Sequence, residues 1–161
     1  VTGVTLLGIS YWEQDSAAFS IRNFYGIFRV IDYPGSDKLP AHRILVHGKT
    51  IHGSQFLDPG QQGEPLAYFY NGGALEEAMS LRNHNQATAM ICLGAGDALA
   101  WFKKGEDLTV FEIDPDIERV ARDWFIFIRD SRAHIEIQIG NARLNLRNEV
   151  LAKKKVWVNH D

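Results

Sequence analysis

The sequence predicts an α/β protein: a parallel sheet with crossover helices, preceded by a small antiparallel β-hairpin region. Three observations predict it. The chain changes character near residue 70, from β-rich to alternating. An apolar run over residues 88–93 leads directly into a glycine turn, Gly94-Ala95-Gly96-Asp97. Strand and helix patterns then alternate, the order that gives parallel strands joined by right-handed crossovers. The division expected is a hairpin region over 1–70 and an α/β domain over 71–161.

Residues 24–31 are rich in aromatic and β-branched side chains and read as a strand. Pro34-Gly35-Ser36-Asp37 supplies a turn. Residues 43–46 and 50–56 read as two more short strands, with a tight hairpin at His47-Gly48-Lys49. Residues 58–65 hold two glycines and two prolines, so they form a loop.

Residues 74–82 are strong helix formers, and Leu75, Ala78, Met79 and Arg82 share one face. The run 88–93 lacks alternation, as expected of a parallel strand buried on both faces. Cys92 is then a buried small apolar residue. A short helix follows through Phe102. Residues 108–113 form the second strand. Asp114 caps a helix with Pro115 in its first turn and Glu118, Val120 and Ala121 further along. Residues 133–139 alternate and form the third strand. Residues 141–150 are helical, and 155–158 give a fourth strand.

Composition narrows the function. The 161 residues carry a net charge of −3, with 45% apolar and 23% charged residues. A chain of this size buries roughly 70% of its unfolded surface, enough for a core. The acidic balance argues against a basic nucleic-acid groove. One cysteine excludes a disulfide framework and a multi-cysteine zinc site, and fits a reducing, cytoplasmic setting. The six histidines lack ligand spacing, so no metal is expected. No apolar run approaches ~18 residues, so no membrane contact is expected from these residues. Residues 1–9 lack the basic flank of a signal peptide. Lys153-Lys154-Lys155 reads as a solvated helix end. The dense apolar stretch 124–128 is either core or a subunit interface, a homodimer being one such interface.

Three motifs carry chemistry. In the first, Gly94 permits a sharp turn and Gly96 permits backbone approach by a ligand; a plain tight turn is the alternative. The second is Phe111-Glu112-Ile113-Asp114. A carboxylate ending the second strand can accept from both ribose hydroxyls, and Glu112 lies 18 residues after Gly94, near the ~20 of a nucleoside-binding unit. A solvated Glu112 is the alternative. The third is Gly140-Asn141-Ala142-Arg143, where a polar side chain reaches the edge of an adenine or, alternatively, caps the next helix.

These residues, with His52-Gly53-Ser54-Gln55-Phe56 and Glu64-Pro65-Leu66-Ala67-Tyr68 upstream and His84 before the first parallel strand, resemble the spermidine synthases. Those polyamine aminopropyltransferases have the class I S-adenosylmethionine-dependent methyltransferase-like fold. The likeness is to the domain found in bacterial fusion proteins, and it runs from about Asn23 to Asn148. It implies a Rossmann-like sheet binding decarboxylated S-adenosylmethionine and transferring aminopropyl to a polyamine such as putrescine. It places Gly94, Gly96, Asp97, Glu112, Ile113, Asn141 and Ala142 around the donor, Asp97 at its aminopropyl end. It places Gln55 and Tyr68 along the substrate pocket, and Asp161 at the general base that closes the fourth strand.

The chain departs from the family in several places. Ala95 and Ala98 stand in a loop that is richer in glycine there. Asn141 replaces the usual aspartate at the adenine. Phe69 follows the pocket tyrosine, where a glutamine is usual. The remaining strands are lacking after Asp161, so the expectation is a chain truncated at its C-terminus, with the donor-binding half present. A parent with a membrane segment before Val1 fits the same likeness. Two other readings stay open: an S-adenosylmethionine-dependent methyltransferase, and an inactive binding or assembly domain.

Overall fold

The computed structural model describes residues 17–84 and 86–148. The expected strand at 155–158, the lysine run, Asp161 and residues 1–9 lie outside the described residues. The described part is α/β, with an antiparallel four-stranded sheet and a separate parallel three-stranded sheet.

The antiparallel sheet is a meander of β1 (Ala17–Asn23), β2 (Gly26–Tyr33), β3 (His42–His47) and β4 (Thr50–Phe56). The expected strand over 24–31 begins later, at Gly26. Phe24 and Tyr25 form the turn instead, and Phe24 is 94% exposed. The cause is Asn23: its Oδ1 accepts from the Tyr25 N–H at 2.9 Å, an Asx turn that reverses the chain. Before it runs β1, which the sequence reading missed, with alternate side chains facing inward. Phe19 and Ile21 pack on the core. The β3–β4 hairpin turns where expected, with Gly48 at φ +61°.

The parallel sheet has the order β5-β6-β7: β5 (Thr88–Ile91), β6 (Asp107–Glu112) and β7 (His134–Ile139). Helix α1 (Ala74–Ser80) precedes it. A 3-10 turn, Asp97–Trp101, lies between β5 and β6; α2 (Pro115–Trp124) and α3 (Phe127–Asp130) lie between β6 and β7. A helix through 142–148, α4, follows β7. Asp114 caps α2 as expected: its side chain accepts from the Asp116 N–H at 2.9 Å, with proline in the first turn.

Two expectations are corrected. The run 88–93 is not a central strand buried on both faces. β5 ends at Ile91, and its side chains alternate between half-buried and exposed. Its only neighbour among the described residues is β6. Cys92 is accordingly exposed rather than buried. It leaves the strand at φ +73°, donating its N–H to the Phe111 carbonyl at 2.8 Å.

One apolar cluster spans both sheets. Phe28, Val30 and Leu45 from the meander meet Leu93, Leu99, Leu108, Val110, Ile117 and Val120. Phe125 and Phe127 join it at 3% and 4% exposure, which assigns the 124–128 stretch to the core. Each such side chain contributes about 1.5–3 kcal/mol by leaving water. At the opposite end of the parallel sheet, buried Glu106 accepts from Arg82 at 2.6 Å and from the Lys103 N–H at 2.9 Å, and pairs with His84 at 2.5 Å. Burial works against its ionisation, but Arg82, Lys103 and His84 outweigh that and hold its carboxyl at about 2. The cluster ties the segment after α1 to the start of β6.

Candidate functional site at the carboxyl ends of the parallel strands

Ligands of open α/β sheets bind beyond the carboxyl ends of the strands. Here β4 of the meander is seated over that end. The Ala95 N–H donates to the His52 carbonyl at 2.9 Å, and the Ser54 N–H donates to Asp97 Oδ2 at 3.0 Å. Glycine makes this approach feasible on both sides. A Cβ on Gly94 would sit 2.2 Å from the His52 carbonyl oxygen, and one on Gly53 would sit 2.5 Å from Ala95 Cβ. Both glycines also hold positive φ, +59° and +137°. Three further bonds fix the seating. Gln55 Oε1 accepts from the Ile126 N–H at 2.8 Å. Arg43 donates to the Trp124 carbonyl at 2.8 Å. Asn23 Nδ2 donates to Asp114 and Asp116 at 2.7 and 2.8 Å.

Glu112, a residue 5% exposed, closes β6. Oε2 accepts from the Leu93 N–H at 2.8 Å and Oε1 from the Asp114 N–H at 2.9 Å. It therefore organises the glycine turn and the start of α2 together. Each oxygen keeps a second lone pair for a hydroxyl donor.

Asp97 is 1% exposed. Its Oδ2 takes the Ser54 N–H, while Oδ1 has no partner, nor does the buried Ser54 hydroxyl beside it. Burial pushes the Asp97 carboxyl up to about 7, against the backbone N–H groups of Ser54, Asp97 and Ala98 that favour its charge.

The other expected residues fall as follows. Gly96 takes φ +86°, and a Cβ there would lie 3.5 Å from Phe127 Cβ, so its backbone conformation is what demands glycine. Ile113 is 45% exposed just past β6. Asn141 Oδ1 accepts from the Leu144 N–H at 3.2 Å, capping the helix that Ala142 begins. The preceding Gly140 N–H reaches the Glu112 carbonyl at 2.8 Å, drawing the ends of β6 and β7 together. Gln55 is buried and spent on Ile126. Tyr68 is 65% exposed and lines a groove. Asp161 lies outside the described residues.

That groove, about 360 Å³, runs beside the glycine turn. Ile51, His52, Tyr68, Phe69, Cys92 and Gly94 are among the residues lining it. Burial and the neighbouring His47 hold the His52 imidazole below its ordinary range, with Glu112 pulling the other way. Burial, with Glu112 adding, pushes the Cys92 thiol up. The sequence reading assigned no role to His52 or to Gly53. A strand passing over a glycine turn was the signal available, since the strand must then carry its own glycine at the crossing.

Among the described residues, no group of three or more His, Cys, Asp or Glu side chains could hold a metal ion, and no helix is long and apolar enough to cross a membrane. The chain matches no protein-family model, and comparison with curated proteins and with solved structures finds no significant match.

Proposed function

We propose that the chain is the donor-binding domain of an aminopropyltransferase of the spermidine synthase kind, with a Rossmann-like, methyltransferase-like sheet. The donor is decarboxylated S-adenosylmethionine, and the acceptor is a polyamine such as putrescine. Glu112 holds the ribose hydroxyls through its free lone pairs. Ile113 lies along the adenine, with Asn141 and Ala142 at its edge. Gly94 and Gly96 shape the turn under the sulfonium, and Asp97 answers the cationic aminopropyl end. Tyr68 bounds the acceptor side, and the buried Gln55 holds β4 against the chain at Ile126 behind it. One observation carries the reading: the glycine turn follows β5, Glu112 ends the adjacent parallel strand β6, and the N–H of Leu93, which leads into the turn, donates to Glu112.

A methyltransferase would use the same donor-binding half. The meander seated over the glycine turn favours aminopropyl transfer, since it adds a second wall beside the donor. Titration calorimetry with methylthioadenosine, decarboxylated S-adenosylmethionine and S-adenosylmethionine tests the reading. Binding of a decarboxylated donor or methylthioadenosine is expected. Absence of heat with all three overturns it. Mass spectrometry of products with putrescine separates aminopropyl from methyl transfer.

A further inference from the structure

We propose that His52 takes the proton from the acceptor amine in the groove beside the glycine turn. The proposal rests on the aminopropyltransferase reading and places the proton acceptor on β4, where the likeness puts the general base at Asp161, outside the described residues.

Three features of the site argue for it. His52 lines the groove together with Tyr68, Cys92 and Gly94. Its own carbonyl accepts from Ala95 in the turn, which fixes its backbone against the donor loop. Among the described residues no hydrogen bond occupies either ring nitrogen, and the rings of Phe28 and His47 lie at centroid distances of 6.4 and 5.7 Å. The imidazole is thus fixed at its root and open at its tip. The titratable groups around it are His47 on β3, Glu112 on β6, Cys92 after β5, Tyr68 in the 3-10 turn Ala67–Phe69, and Asp97 beneath Gly53. Burial and His47 lower the ring's pKa, against Glu112, and so favour the neutral form that accepts a proton.

The step balances. The acceptor enters as a primary ammonium. An imidazole nitrogen of His52 takes one proton and becomes imidazolium. The freed amine lone pair attacks the methylene carbon on sulfur, so an N–C bond forms as the C–S bond breaks. The bonding pair stays on sulfur, and the sulfonium leaves as neutral methylthioadenosine. The product departs as a secondary ammonium. His52 faces solvent and returns its proton there.

The test compares wild type with His52→Gln and His52→Ala. Methylthioadenosine affinity should stay within twofold of wild type. Aminopropyl transfer to putrescine should fall about 100-fold or more, the range for a general base. Free imidazole should restore part of the His52→Ala rate, and the acid limb of the pH–rate profile should vanish in His52→Gln. A second measurement needs no variant: in the methylthioadenosine-saturated wild type, putrescine should shift the NMR titration of His52. Variant rates within threefold of wild type overturn the role of His52, as does an unmoved His52 resonance. Failure of the wild type to bind methylthioadenosine instead overturns the donor reading beneath it.

Discussion

Asp97 and Glu112 are both buried carboxylates at the same sheet end, yet their surroundings differ. Glu112 has an N–H on each oxygen; Asp97 leaves one oxygen bare. An aspartate whose folded carboxyl sits near 7, against about 3.9 when unfolded, binds its proton more tightly in the native state. That contribution to stability is complete below about pH 3.9 and is lost as pH rises through about 7. Asp97→Asn keeps the neutral form and the acceptor for Ser54. It should flatten the stability profile between pH 4 and 8 and gain on the order of 1–3 kcal/mol above pH 7, read by urea denaturation. Glu106 has the opposite sign. Its stabilisation is present above about 4.5 and is lost as pH falls towards about 2. Glu106→Gln should cost about 3 kcal/mol at neutral pH, because part-buried Arg82 loses its counter-charge on the buried side chain of residue 106.

At the scale of elements, the crossing of β4 over the glycine turn is the joint that matters. It is made of backbone against backbone, so no side chain can yield there. Gly94→Ala would push a methyl into the His52 carbonyl and hold alanine at positive φ. A loss of at least about 2–4 kcal/mol is expected in denaturant titration. Asn23→Ala tests the far corner of the same joint. It removes the bonds to Asp114 and Asp116 and leaves two carboxylates facing each other. A cost of about 1–3 kcal/mol is expected, larger at low salt. Much of this was hidden in the sequence for a physical reason. Period and composition reveal which face of a strand is buried, but not which strand lies across it. Asn23 reads as an ordinary turn residue; its contact with α2 spans more than 90 positions.

For the molecule as a whole, the strand–helix alternation and the glycine turn were legible because they depend on local pattern. The cap at Asp114 and the hairpin turn at Gly48 were legible for the same reason. The beginning of the meander was not. β1 has only two large apolar side chains on its inner face, and Phe24-Tyr25 mimics strand composition while sitting in a turn. The burial of β5 was misjudged because an apolar run does not reveal how many neighbours a strand has. The site residues divide likewise. The positions of Glu112 and Asp97, at the end of β6 and after β5, follow from local pattern, while the side chains of Gln55 and Asn141 are engaged by backbone N–H groups remote from, or next to, their own element. The continuous core across both sheets predicts one cooperative unit. Tryptophan fluorescence and far-UV circular dichroism should trace a single coincident unfolding transition; two separated midpoints would show that the meander unfolds independently.

The chain's one thiol lies at the mouth of the groove, turned outward where the strand ends. The molecule thereby carries a built-in chemical reporter. Burial and Glu112 raise its pKa and so disfavour the thiolate that alkylating reagents attack. Whatever fills the groove shields that sulfur, and the labelling rate becomes an occupancy gauge for unmodified protein, without a probe having to be engineered into it.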